Sequence, residues 1–231
     1  SLKNMTIQQM QQIEAYAEKM LTGPFLVEAF RIAHDLPHVR RVYAHALRLA
    51  QAEGYPHLDR VAAAILLHDI GLPVVEKRSD HPRVGAELAA WFLQENELFA
   101  PDEIAEICEA IVHHGRLDGT TPLIHILRDA DILDLLGNVG IMRAFTSKAH
   151  LPVYFPEHPR GETWGLTSAE FTARFQAGLG MGPTILDQIN FQMSCFENLC
   201  TETAQEWGRP LRDIMRQFVG QFAQEIGSYP Q

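Results

Sequence analysis

Apolar residues recur at three- and four-residue intervals along almost the whole chain, and strand-like alternation never persists. The pattern predicts an all-α protein. Ile7 to Leu21 reads as a first amphipathic helix stopped by Gly23-Pro24, and Phe25 to Ala33 as a second, shorter one. Asp35 suits the cap of the next helix and Pro37 its first turn, so His38 stands near the start of a helix running to about Glu53, where Gly54 ends it. Leu58 to Ile70 is apolar on all sides through Val61-Ala62-Ala63-Ala64-Ile65-Leu66-Leu67, the mark of a helix in the middle of a bundle, and it carries His68-Asp69 near its end. Pro82 and Pro101 open two further helices, to about Asn96 and His114, the second with Asp102 and Glu103 in its first turn. One long helix is predicted from Leu123 to about Phe145, carrying Asp129, Asp131 and Asp134. Thr146 to Thr167, rich in proline and glycine, reads as a loop long enough to cover a site. Helices from about Thr184 to Trp207 and from Pro210 to Ile226 close the chain. No repeat or linker marks a second folding unit, so residues 1–231 are expected to form a single domain, with the helices within 167–227 packing on its core.

Composition narrows the function. The chain has 231 residues, 46% hydrophobic and 21% charged, within the globular range. Its net charge of −10 repels polyphosphate backbones and anionic lipid, so neither a nucleic-acid polymer nor a membrane is expected as partner. The three cysteines, Cys108, Cys195 and Cys200, are too few for a paired disulfide framework or a thiolate zinc site, which points to the reducing cytoplasm. No secretory leader or membrane-length apolar run is seen; Ser1 to Asn4, ahead of Met5, are set aside from the fold reading. Eleven histidines against three cysteines direct attention to imidazole chemistry.

Asp69 and Asp131 both sit in helices that must be buried, and burying an unpaired carboxylate costs many kcal/mol. A buried ion-pair network with Arg60 and Arg128 is the structural alternative, but Arg60 lies more than two turns from Asp69. His38, His81, His113 and His114 stand at helix ends, where side chains from separate helices can converge. A divalent metal meets the charge requirement best, and mixed imidazole and carboxylate ligands suit Mn²⁺, Fe²⁺, Ni²⁺ or Zn²⁺.

His38, then His68-Asp69, then Asp131 resembles the H…HD…D signature of the HD superfamily of metal-dependent phosphohydrolases. The segments HDLPHVRRVYAHALRLA, AAAILLHDIG and LRDADILDLLGNVGIMRAF resemble three successive blocks of its uncharacterised bacterial branch. The resemblance implies an HD helical bundle with its core at about residues 25–145 and additional C-terminal helices. HPRVGAELAAWFL and IVHHGRLDG resemble the segments that supply a second metal in binuclear members, including the HD-GYP phosphodiesterases. It thus implies His38, His68, Asp69 and Asp131 as ligands of one ion, with Asp69 bridging to a second held by His81, His113 and His114. Leu72 replaces the lysine that often follows HDIG in HD-GYP proteins, and Thr120-Thr121-Pro122 stand where GYP would follow, so cyclic-dinucleotide specificity is not implied.

The activity implied is hydrolysis of a phosphoester or phosphoanhydride bond in a small, nucleotide-like substrate, with one or two divalent ions (Mn, Fe, Ni, Zn or Mg). The substrate's charge calls for further cations: Arg41, three residues after His38, then Lys77 and Arg78 ahead of His81, with Arg143 behind them. Asp134, one turn after Asp131, is placed to orient a ligand histidine. His81 also reads as a simple helix-start residue, and His113 with His114 as a C-terminal dipole pair. His34 reads as a loop histidine or a support behind the ligands. Two rivals use the same residues: a di-iron O₂-dependent oxygenase of HD fold, and a metal- or nucleotide-binding sensor without turnover. Phe191, Met193, Phe196, Met215, Phe218 and Phe222 are expected in a core or on a homo-oligomer face.

Overall fold

The computed structural model describes residues 5–227; Ser1 to Asn4 lie outside that range. Ten α-helices and no strand form among the described residues, so the chain is all-α. In order they are α1 (Ile7–Thr22), α2 (Leu36–Ala52), α3 (Leu58–Leu67), α4 (His81–Glu95), α5 (Pro101–His113), α6 (Pro122–Leu133), α7 (Gly137–Ser147), α8 (Ser168–Gln176), α9 (Ile185–Ser194) and α10 (Glu202–Gly227). They fall into two compact units, the first ending at Asp131 and the second beginning at Ile132.

In the first unit α3 packs on α1, α2 and α5, and α4 packs on α5. Every residue from Val61 to Leu67 is buried, as expected of a helix apolar on all sides. Each buried Leu or Ile there contributes roughly 1.5–3 kcal/mol of transfer free energy. Asp35 caps α2 by accepting the His38 N–H at 2.9 Å, with Pro37 in the first turn, which fixes His38 one turn into the helix. Helix α3 stops at Leu67, earlier than the predicted Ile70. Tighter i−3 contacts take over, from Ile70 N–H to Leu67 C=O and from Leu72 N–H to Asp69 C=O, so His68 and Asp69 leave the helix on a turn. The predicted helix at Phe25–Ala33 is instead a six-residue 3₁₀ segment, Glu28–Ala33. Leu26 N–H bonds Pro73 C=O and Arg31 bonds Gly23 C=O, tying this stretch to its surroundings rather than to a helix of its own.

The helix predicted through Leu123–Phe145 breaks into α6 and α7. Gly137 takes φ +68°, a conformation few other residues adopt, and Leu135 and Leu136 close α6 with i−3 bonds. The Gln192 amide donates to Leu135 C=O and Gly140 C=O, satisfying carbonyls that the break releases. The segment after α7 is irregular up to Thr167 apart from an isolated bridge between Phe155 and His158. Helix α8 was not foreseen. Pro210, predicted to open the last helix, lies inside α10; it removes one N–H, and the carbonyl left without it belongs to exposed Glu206.

Candidate metal centre

Five elements deliver the candidate ligands to one place. His38 comes from the first turn of α2, His68 and Asp69 from the turn after α3, His81 from the start of α4, and His114 from the end of α5. Asp131, near the end of α6, is the last residue of the unit. Gly71 makes this convergence possible: a Cβ there would stand 2.3 Å from the His81 carbonyl oxygen and 2.7 Å from Gly85 N, so a glycine lets the HD turn press against α4.

Asp69 is the hinge of the arrangement. Its Oδ2 lies 3.3 Å from His68 Nε2 and 3.5 Å from His38 Nε2, and its Oδ1 lies 3.5 Å from His81 Nε2. Asp131 Oδ1 lies 3.6 Å from His38 Nε2. Three groupings have all their donor atoms within 4.8 Å of one another: His38–His68–Asp131, Asp69–His81–His114, and His34–His38–Asp69. Solvent reaches them chiefly at Asp131, whose side chain is 25% exposed, whereas His38, His68 and Asp69 are sealed at 1%.

The histidine tautomers can be read from their partners. His68, His81 and His114 each place Nδ1 at 2.6 Å from a main-chain carbonyl, of Ile65, Arg78 and Ile111 respectively. A carbonyl only accepts, so Nδ1 carries hydrogen and the neutral rings present a lone pair at Nε2. His81 Nε2 and His114 Nε2 face each other at 3.4 Å, and His68 Nε2 is buried without a hydrogen-bond partner. Lone pairs converging on one another and on two carboxylates are the donor set of a divalent cation, held from behind by the carbonyls. These residues fit a metal.

Electrostatics agree. Burial pushes the Asp69 carboxyl up, but His68 and His34 outweigh it and hold it well below the usual range. Asp131 is likewise raised by burial and lowered on balance by His38, His68 and His114. Burial lowers His68, and the Asp69 and Asp131 charges overcome it, raising the imidazole to about 9, so that without an ion a proton is held at Nε2 and the lone pair described above is the one a bound cation would face. His114 is pushed down to about 4, by burial first and then by His68 and His81. His34 is also pushed down to about 4, by burial against the opposing pull of Asp69.

Of the two cations that the ion-pair alternative names, Arg60 is engaged away from Asp69, by Glu103 at 2.8 Å and Glu106 at 2.5 Å. Arg128 donates to the carbonyls of Gly119 and His113. His113 belongs to none of the three groupings; its Nδ1 lies 2.8 Å from Asp118 Oδ1. Arg78 is exposed but touches the cluster, with Nη2 at 2.6 Å from His34 Nε2, while Lys77 is exposed and Arg41 half-buried on α2. Arg143 pairs with Asp134, Nη1 to Oδ2 at 3.0 Å, so two further sequence candidates meet each other. His34, which the sequence reading kept out of the ligand list, is in the cluster, with Nδ1 2.8 Å from Asp69 Oδ2. Its spacing of four from His38 was the available signal, obscured because the two residues lie on different elements.

Known proteins share this architecture. The HD domain family matches residues 36–136. None of the curated proteins matches the sequence. Among solved structures, a Lactobacillus plantarum protein is 23% identical over 97% of this chain and 100% of its own, with a TM-score of 0.70. A predicted HD superfamily hydrolase from an uncultured Thermotogales bacterium is 25% identical over 95% of this chain and 92% of its own, TM-score 0.59. Bacillus subtilis YpgQ, in complex with ADP, is 20% identical over 96% of this chain and 97% of its own, TM-score 0.62. No described helix is long and apolar enough to cross a membrane. The segment that matches the HD domain family, residues 36–136, contains His38, His68-Asp69 and Asp131 in the geometry just described.

Proposed function

We propose that the protein is a metal-dependent phosphohydrolase that cleaves a phosphoester or phosphoanhydride bond of a small, nucleotide-like substrate. The observation that carries this reading is Asp69, a buried carboxylate whose two oxygens face two different histidine groups. His38, His68, Asp69 and Asp131 would hold one divalent ion, and Asp69, His81 and His114 a second. Bound there, Mn²⁺, Fe²⁺, Ni²⁺, Zn²⁺ or Mg²⁺ supplies Lewis acidity toward a phosphoryl oxygen and toward water. The protein's own part is to orient and exclude. His68, His81 and His114 are aimed by carbonyls, Asp69 is shielded from solvent, and partly open Asp131 marks the side from which substrate enters. Arg78, with donors beyond the one spent on His34, and exposed Lys77 would meet a substrate phosphate, with Arg41, half-buried on α2, as a further candidate. Nucleotide-like chemistry is supported by the ADP bound to the structurally similar YpgQ.

The test is phosphate or pyrophosphate release from a panel of nucleoside mono-, di- and triphosphates with Mn²⁺ under argon. Wild-type turnover is expected, with Asp69→Ala losing both metal and activity; full activity in that variant would overturn the reading. The Asp69–His81–His114 group also supports a second reading, a di-iron oxygenase. Turnover that requires iron and O₂, with no phosphate released anaerobically, would select it.

A further inference from the structure

Behind Asp69 stands a two-residue chain that the metal site does not itself require. Arg78 Nη2 lies 2.6 Å from His34 Nε2, and His34 Nδ1 lies 2.8 Å from Asp69 Oδ2. A guanidinium only donates, so His34 Nε2 must carry the lone pair and Nδ1 the hydrogen. In that tautomer His34 donates to Asp69 and has no lone pair at Nδ1 for a cation. It therefore supports the site although its donor atom lies within reach of a ligand grouping. The ring is 8% exposed and stands edge-on to His38, with centroids 5.5 Å apart at 88°, so neither water nor rotation readily replaces the contact.

The consequence falls on the orientation of the carboxylate. A carboxylate turning about its Cβ–Cγ bond exchanges its two oxygens, and a donor fixed on one of them stops the turn. We infer that His34, held in one tautomer by Arg78, is a positioning residue that locks the plane of Asp69. Oδ2 is thereby kept toward His38 and His68 and Oδ1 toward His81. Arg78 thus acts on the site through His34, in addition to any contact with a substrate phosphate. This inference rests on the reading of Asp69 as a shared ligand.

Two measurements test it on the full chain. In the metal-free protein, ¹⁵N NMR of labelled histidine should show His34 protonated at Nδ1 with the lone pair at Nε2, and Arg78→Ala, which leaves Asp69 alone to hold the Nδ1 hydrogen, should weaken that preference. Mn²⁺ titration by calorimetry should show His34→Ala binding roughly 10–100-fold more weakly, the usual effect of removing a group that orients a ligand. His34→Asn, whose amide N–H reaches about the position of Nδ1–H, should restore affinity to within a few-fold. Wild-type affinity in His34→Ala, or loss of a whole Mn²⁺ equivalent in His34→Asn, would overturn the inference, the latter by making His34 a ligand. So would an Arg78→Ala variant that raises KM while tautomer and Mn²⁺ affinity stay unchanged, the pattern of a phosphate contact alone. If His34→Ala does not fold, His34→Asn and Arg78→Ala decide the matter. Wild-type protein that binds Mn²⁺ but hydrolyses no phosphate compound would fail the proposed function and leave the positioning role intact.

Discussion

Gly71 shows how one missing methyl group shapes the site. Its φ of −77° and ψ of −24° suit any residue, so conformational freedom is not what the position demands. The demand is room: the atoms a Cβ would strike, His81 O and Gly85 N, are backbone of α4 and cannot swing aside. Gly71→Ala should therefore push the first turn of α4, and His81 with it, away from Asp69. Overpacking of this kind costs about 1–3 kcal/mol, so a fall in Tm of roughly 2–10 °C is expected together with weaker Mn²⁺ binding. A thermal melt and a Mn²⁺ titration indistinguishable from wild type would contradict this. Residue types and spacing made most of the cluster legible: buried Asp69 and Asp131 demanded a cation, and histidines at helix ends could supply its other ligands. Side-chain direction was not legible. His113 and His114 are alike in sequence, yet one ring goes to Asp118 and the other to the cluster; His34 looked like a loop residue because the turn that carries it toward Asp69 has no periodicity.

At the scale of elements, helix starts were easier to foresee than helix ends. Asp35 with Pro37 and the Pro101 start are local chemistry, and α2 and α5 begin within a residue of where that chemistry puts them. The break between α6 and α7 was invisible because Leu133, Leu135 and Leu136 continue the apolar pattern across it; only Gly137 betrays it, and an isolated glycine is a weak signal. Helix α8 had a readable start in the Thr167 and Glu170 capping box, overlooked beside the proline-rich stretch before it. Gly137 and Gly54 provide a matched test of the break. Both have φ near +67°, at +68° and +67°, but a Cβ at Gly137 would meet Leu211 Cδ2 at 3.1 Å whereas one at Gly54 would meet nothing within 4 Å. Gly54→Ala should cost about 1–2 kcal/mol, the backbone term alone. Gly137→Ala should cost more, because Leu211 must also give way. Urea denaturation of the two variants measures the difference, and equal losses would mean that Leu211 yields freely.

On the scale of the molecule, the candidate ligands all lie at or before Asp131, within the first compact unit. A cation that binds the folded state alone stabilises it by RT ln(1 + [L]/Kd), about 2.7 kcal/mol at a hundredfold excess over Kd. Here the gain has a local source, because the ion would neutralise buried Asp69 and join four helices that otherwise bring converging lone pairs together. Removing metal with a chelator should accordingly lower Tm. It should also raise amide hydrogen exchange at the end of α3 and the starts of α2 and α4, where His68, His38 and His81 are anchored. Helices α8 and α9, which belong to the second unit, have no ligand to lose and should exchange at the same rate with and without chelator. Restoring Mn²⁺ should reverse the change in the first unit, and should fail to do so in Asp69→Ala. Exchange that responds equally everywhere would mean that the ion stabilises the chain as one cooperative whole. Exchange that responds nowhere would remove the metal from the account of this fold, and with it the reason for burying Asp69.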